Sequence, residues 1–252
     1  RDYRGGGRSS GRETAGRVAA GAVAAKILKE MGITVTAYTK SIGPVEINMS
    51  EFDRNSIYTT ATCMPDKTAD EKAAAYLKEC MMNKDSAGGV VECIVEGLPA
   101  GVGDPVFEKL DANLAKALMS IGAVKAIEIG DGVQVSKAAG SENNDPFVCE
   151  NNVLSKKSNH AGGILGGISD GAPVVIRAHI KPTPSIFQPQ ETVNRDMENI
   201  NIQIKGRHDP VIVPRAVVVV ESMTALAILD ACMQNMTARL EYLTGFYKNS
   251  NN

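Results

Sequence analysis

Apolar positions recur at helical spacing in three places in the first half of the chain. A helix is predicted over residues 14–31, with small residues on one face and Gly32 placed to end it. A second is predicted over 68–82 from the capping-box spacing of Thr68 and Glu71. The third should open with Asp104 as cap and Pro105 at the first helical position. Its buried stripe is predicted to consist of Phe107, Leu110, Leu114, Ala117 and Ile121.

Strand-like patterns alternate with these helices. They cover residues 33–40, 90–96, 124–129, 174–179 and the region around 200–204. The polar stretch 136–159 predicts a long mobile loop. Residues 211–243 are apolar, but 217–220 favour a strand and 223–233 a helix, so the pattern leaves the start of that helix open. We therefore expect a mixed α and β protein with residues 1–252 in one domain.

Composition excludes several classes of protein. The chain has 252 residues, is 43% hydrophobic and has a net charge of −2, which argues against a nucleic-acid or membrane-surface binder as a whole. No apolar stretch is expected to reach the ~20 residues of a membrane span. Five cysteines without a C-x-x-C pair predict reduced thiols in the cytoplasm and no structural zinc. The three histidines are far apart, so no metal site is expected.

The first seventeen residues favour anion binding. Five arginines and the run of glycines at 5–7 precede a helix start, where free backbone N–H groups and the helix dipole attract negative charge. Ser10 and Glu13 have the spacing of a capping box. An exposed capped helix with solvated arginines is the alternative. The chain lacks an initiator Met, and we expect it to be the later portion of a longer protein.

Three further segments have the composition of ligand-binding loops. Residues 159–171 contain five glycines, and such a bare backbone suits a flat ring; a glycine-rich turn is the alternative. Residues 181–185 form a stiff turn that could hold Lys181 and Ser185 around a phosphate, or simply end a strand. Arg207, His208 and Asp209 place an acid or base between cations, although a surface ion pair is the simpler reading.

Taken together, these motifs resemble the chorismate synthase family in order and approximate spacing. The matching stretches are RGGGRSSGRETA at 4–15, GDPVFEKLDA at 103–112, NHAGGILGGIS at 159–169, KPTPS at 181–185 and GRHDP at 206–210. The resemblance implies a lyase that converts 5-enolpyruvylshikimate 3-phosphate to chorismate and phosphate. The reaction is an anti 1,4-elimination that needs reduced FMN, and it is the last step of the shikimate pathway to the aromatic amino acids. The resemblance also implies an α+β fold, a β-α-β sandwich with a helical core between antiparallel sheets, and a homotetramer.

The same resemblance implies roles for individual residues. Asp209 matches an aspartate with a proton-transfer role near flavin N5, Ser10 a catalytic and flavin-binding serine, and Arg12 a substrate-binding arginine. Arg207 lies where cofactor and substrate meet. The remaining cofactor-binding positions are Arg8, Ser9, Ala123, Gly166, Lys181, Pro182, Thr183, Pro184 and Ser185.

The chain also departs from the family pattern. The family has two catalytic histidines upstream of the arginine and glycine motif, in Gly-Glu-Ser-His-Gly and Gly-His-Ala-Asp segments, and neither segment occurs here. His160, His179 and His208 are not their equivalents, so this chain alone is expected to be inactive. A non-catalytic FMN- or phosphate-binding fragment and a flavin oxidoreductase are the alternatives. The sequence leaves open whether the chain has an NADP-dependent flavin reductase activity.

Overall fold

The computed structural model describes residues 6–150, 152–206 and 208–249. The strands are β1 (Thr34–Ile42), β2 (Val45–Glu46), β3 (Gly89–Glu96), β4 (Val124–Ile129), β5 (Phe147–Glu150), β6 (Val153–Lys156), β7 (Ile164–Leu165), β8 (Ile168–Ser169), β9 (Val174–Ile180), β10 (Gln190–Val193) and β11 (Asn199–Ile202). The α-helices are α1 (Thr14–Glu30), α2 (Lys67–Met82), α3 (Leu110–Met119), α4 (Gly140–Asn143), α5 (Val213–Asn235) and α6 (Leu240–Asn249).

Five strands form one antiparallel sheet in the order β2-β1-β3-β9-β4. Its apolar face includes Ala37, Cys93 and Ile176, which lie side by side on neighbouring strands and are fully buried. Helix α5 packs on this face against β1 and β3, with α1 and α3 packed against α5. The mixed α+β class and the antiparallel pairing are thus confirmed. Within the described residues the other sheets are two-stranded hairpins, so the second large sheet of a sandwich is not seen in this part of the chain.

The opposite face of the sheet carries a row of charged groups. Arg177 donates from Nε to Glu92 Oε2 at 2.5 Å and lies 3.7 Å from Glu128 Oε2, while the Tyr38 hydroxyl donates to Glu92. Burial, followed by the charge of Glu92, raises the pKa of Tyr38. The row spans four strands because these residues share one register position. It therefore ties the strands together on the face opposite α5, where Tyr38 and Glu92 are buried.

The sheet has two distinct ends, named here the Ile180 end and the Val174 end after the two ends of β9. Helix α1 leads through Gly32 into β1, whose first residue pairs near the Val174 end. The N-terminus of α1 therefore lies at the Ile180 end. Helix α5 has the same direction: Val211 bridges to Ala87 at the Ile180 end, and Asn235 donates to the Gly101 carbonyl at the other.

Several predicted boundaries are confirmed, and others are wrong for identifiable reasons. Helix α1 and strand β4 agree with the predicted spans within one residue. Helix α2 begins one residue early because Asp66, not Thr68, accepts the capping bond from the Ala69 N–H. Helix α3 starts only at Leu110, and Phe107 is exposed instead of joining the buried stripe. The predicted loop at 136–159 contains the hairpin β5-β6 as well as α4.

Helix α5 corrects two further expectations. Residues 217–220 are helical and not a strand, because this helix is buried against both α1 and the sheet and needs apolar side chains on two sides. With 23 residues and a mean hydropathy of 1.9 in its most apolar window, it is long and apolar enough to cross a membrane by length and composition. The expectation that no stretch reaches that length is therefore wrong. Half of that window is buried inside the protein, so its packing accounts for its composition.

Candidate functional site

Two helix N-termini meet the ends of β4 and β9 at the Ile180 end of the sheet. Helix α1 is preceded by a 3₁₀ turn at Gly11–Glu13, where Ser10 Oγ accepts from the Arg12 N–H at 3.4 Å. The predicted capping box is wrong, because the Glu13 carboxylate accepts from Arg17 Nε at 2.8 Å instead of reaching back to Ser10. Ser10 remains the residue that caps this turn. The start of α1 thus presents free N–H groups beside the exposed side chains of Arg8 and Arg12.

Arg17 connects this helix start to the segment before β4. Its Nη1 donates to Ser120 Oγ at 2.5 Å, and three residues later Ala123 accepts from the Lys181 N–H at 3.0 Å. Ala123 has a φ of 74°, an uncommon conformation for a residue with a side chain. The structure therefore brings Ser10, Ala123 and Lys181 to one end of the sheet.

The 181–185 turn contains a buried polar atom without a partner. The Thr183 hydroxyl oxygen is inaccessible to solvent and makes no hydrogen bond within the part of the chain that the structure describes. The carbonyl of the same residue accepts from Ser86 Oγ at 2.7 Å. A buried hydroxyl left unpaired costs free energy, so it points to a missing partner. Lys181 and Ser185 in the same turn are half-buried, while Pro182 and Pro184 are exposed.

Asp209 lines a small cavity next to this turn. The cavity has a volume of about 190 Å³, and Ser86, Ser185 and His208 also line it. Asp209 Oδ2 accepts from Arg215 Nη1 at 2.7 Å, so its cationic partner is on the first turns of α5. Arg207, the partner that the sequence suggested, lies outside the described residues, as do residues 1–5 with Arg4.

Sequence reasoning missed the segment that holds these parts together. Ser86 donates to the 181–185 turn, the Ala87 N–H donates to the Pro210 carbonyl at 2.7 Å, and the Gly88 carbonyl accepts from the Gly43 N–H at 2.9 Å. The signal was the Asp-Ser-Ala-Gly-Gly sequence at 85–89, which leads into β3. A side chain at Gly88 would meet the Ile180 carbonyl oxygen at 2.5 Å, which is closer than atoms can approach.

Gly166 is not brought to this site within one chain. It lies in the β7-β8 hairpin, where the neighbouring Gly167 carbonyl accepts from the N–H of Leu110, the first residue of α3. Ala123 follows the other end of α3, and a helix of that length spans about 15 Å. Strand β9 likewise separates the hairpin, at the Val174 end, from Lys181 by roughly 20 Å. The predicted cofactor positions therefore fall into two groups.

Buried charges fix the glycine-rich loop at 159–171. Lys156 pairs with Asp170 and lies 3.8 Å from Asp145, and all three side chains are at least nine-tenths buried. Burial alone would raise the pKa of Asp145, but hydrogen bonds from the N–H groups of Ala161 and His160 lower it overall. His160 itself makes a 2.5 Å contact from Nδ1 to Asp131. The contacts of His160 with Asp131 and Asp145 therefore help to hold the loop in place.

Elsewhere in the described residues, neither the larger cavity nor the metal-ligand side chains form a polar site like that at the Ile180 end. A larger cavity of about 590 Å³ lies between α6 and the end of α5, but its lining is mostly apolar and remote from the candidate residues. Among the described residues no three potential ligands cluster as a metal site would require. All five cysteines are free thiols. The polar chemistry thus concentrates where α1, α5 and β9 meet.

Comparison with known proteins gives the same family as the motifs. The sequence profile described as chorismate synthase matches residues 1–233. Chorismate synthase from Agathobacter rectalis is 60% identical over 248 residues, covering 98% of this chain and 68% of that protein. The chorismate synthase of Lachnoclostridium phytofermentans is 59% identical with the same coverage. A solved structure titled "Crystal Structure of Chorismate Synthase" superposes with a TM-score of 0.76 at 30% identity, covering 96% of this chain and 69% of that one.

Proposed function

This chain belongs to the chorismate synthase family, and we propose that it forms the FMN- and substrate-binding part of an enzyme that converts 5-enolpyruvylshikimate 3-phosphate to chorismate and phosphate. The observation that carries the proposal is the convergence of α1, α5 and the 181–185 turn at the Ile180 end. Substrate and cofactor both carry phosphate, and helix N-termini with lysine and arginine side chains suit such anions.

The residues at this end fit reduced FMN. The orphan hydroxyl of Thr183 would donate to the phosphate, and Lys181 would neutralise part of its charge. Arg8, Ser9 and Ser10 would line the flavin from the start of α1, with the Ala123 backbone beside it. When bound, reduced FMN supplies electron density for the elimination without net oxidation. The turn between Lys181 and Ser185 needs only to bind and orient it.

The substrate's phosphate and the ring proton need separate groups. Arg12 would bind the substrate, with Arg207 between substrate and cofactor. Asp209, held by Arg215, would accept a proton near flavin N5 because its carboxylate lies in the small cavity beside the 181–185 turn. The ion pair with Arg215 already holds the Asp209 carboxylate in place. Less conformational entropy is therefore lost when the substrate binds and the carboxylate is positioned for proton transfer.

The assembly and the second sheet are also proposals. Helix α1 exposes Val23 and Ile27, and Met31 directly after the helix continues this stripe at the same interval of four residues. Such a stripe favours a further layer packed on it, as in a β-α-β sandwich. We propose a homotetramer in which Gly166 contacts a flavin bound by another copy. Within one chain, Gly166 and Lys181 lie near opposite ends of β9 and are too far apart to share a flavin. Five free cysteines favour a reducing compartment such as the cytoplasm.

The experiment separates this function from its alternatives. Because the two histidine segments of the family do not occur in these 252 residues, we expect the chain alone to bind FMN without turnover. A chimera that adds the unmatched part of the Agathobacter rectalis relative should release phosphate under anaerobic conditions with reduced FMN that is not consumed. FMN should also bind more tightly in the presence of substrate. FMN consumption would indicate an oxidoreductase, and binding without phosphate release by the chimera would indicate a non-catalytic protein.

A further inference from the structure

The segment 85–88 contacts two of the parts that the proposed function uses, the 181–185 turn and the segment that carries Asp209. It precedes β3, and its three successive residues reach three separate chain segments. Ser86 Oγ donates to the Thr183 carbonyl at 2.7 Å, while the Ala87 N–H donates to the Pro210 carbonyl at 2.7 Å. Val211 continues the second contact as a parallel bridge to Ala87. The segment thus links the 181–185 turn to the segment that carries Asp209.

Among these contacts, only that of Ser86 depends on a side chain. The N–H of Ser86 donates to Asp85 Oδ1 at 2.8 Å, and the Asp85 N–H donates to the Cys80 carbonyl at the end of α2. The backbone of Ser86 is therefore fixed from the side of α2. Its hydroxyl then fixes the peptide that follows Thr183, which also sets the direction of the Thr183 side chain.

The prolines on either side of Thr183 limit the hydrogen bonds that the turn can make, so the bond from Ser86 contributes more to its position. Pro182 and Pro184 flank Thr183, and proline lacks the N–H through which a turn would usually bond to its surroundings. The Lys181 N–H is bonded to Ala123 at the start of the turn. Among the described hydrogen bonds, two tie the middle of the turn to other parts of the chain: Gln190 Nε2 of β10 donates to the Pro184 carbonyl at 3.0 Å, and Ser86 is the one that reaches Thr183.

We propose that Ser86 is a positioning residue that holds Thr183 so that its unpaired hydroxyl faces a phosphate monoester bound at the 181–185 turn. This inference rests on the proposed function, since FMN is the phosphate monoester expected there. Ser86 acts through the Thr183 carbonyl, to which its hydroxyl donates.

The test compares FMN with riboflavin, which has the same ring system but no phosphate. Dissociation constants are measured by flavin fluorescence for the unaltered chain, Ser86→Ala and Ser86→Thr. Loss of the Ser86 bond should weaken FMN binding about tenfold and leave riboflavin binding unchanged. Ser86→Thr retains a hydroxyl and should restore FMN affinity to within about threefold. Ser136→Ala removes a similar bond, to the Val133 carbonyl, far from the site and serves as the control.

The possible results distinguish a failure of the positioning role of Ser86 from a failure of the proposed function. An unchanged FMN-to-riboflavin affinity ratio in Ser86→Ala would overturn the positioning role while leaving the proposed function intact. Equal weakening of both ligands would also overturn it, because a general loss of structure does not select for the phosphate. If the unaltered chain binds neither ligand, the proposed function fails and this inference fails with it.

Discussion

Replacing Gly21 by alanine should drive apart the two helices whose N-termini form the candidate site. A β-carbon at Gly21 would lie 2.2 Å from Ser222 Cβ and 2.5 Å from Ser222 Cα on α5. Carbon atoms pack at about 3.5–4.0 Å, so α5 or α1 must shift by more than about 1 Å. Overpacking of this kind costs about 1–3 kcal/mol, or more where backbone must move. Alanine recovers up to about 1 kcal/mol through its helix propensity.

Gly16 in the same helix provides a matched control. A β-carbon there meets no atom within 4 Å, so Gly16→Ala should stabilise the protein by about 0.5–1 kcal/mol through propensity alone. Because both variants gain the same propensity, they should differ by the overpacking cost of about 1–3 kcal/mol in the free energy of unfolding, measured by urea denaturation. Ser222→Gly should recover part of the loss in the Gly21→Ala background, because it removes the nearest of the clashing atoms. If Gly21→Ala stabilises the chain as Gly16→Ala does, the close contact of α1 and α5 is wrong.

Three more predictions address the site and its supports. Lys181→Ala should weaken FMN binding by roughly 1–3 kcal/mol and leave the melting temperature of the ligand-free protein nearly unchanged; a lower melting temperature would make Lys181 structural. In the chimera described above, Asp209→Asn should reduce turnover by about two orders of magnitude while costing under about 1 kcal/mol of stability, and near-normal turnover would remove it from the catalytic groups. The lowered pKa of Asp145 means that its stabilising effect is present above the pKa of the unfolded chain and is lost as the pH falls through the lower folded value. Asp145→Asn should therefore flatten the acid side of the stability curve below about pH 4, measured by urea denaturation at several pH values, and an unchanged acid slope would contradict this.

The sequence identified the segments of the candidate site but not all of their contacts. The motifs at residues 8–12, 123 and 181–185 do lie at one end of the sheet. Ser86 escaped notice because its role depends on a bond to Thr183, 97 positions away, that leaves no local pattern. The contact between Asp209 and Arg215 was not expected from the sequence, since Arg215 comes within reach only because α5 begins at Val213.

Local sequence determined the elements whose conformation depends on neighbouring residues. Helix α1 ends beside Gly32 and β4 ends before Gly130, because both glycines adopt a positive φ that most other residues avoid. Only the tertiary structure decided that residues 217–220 are helical, since burial on two sides of α5 removes the polar positions that reveal a helical period. It also decided that Gly166 and Lys181 stand at opposite ends of β9. The order of motifs along a chain does not tell how far apart they lie in space. That distance is set by strand register and helix direction, which arise from contacts between residues far apart in sequence.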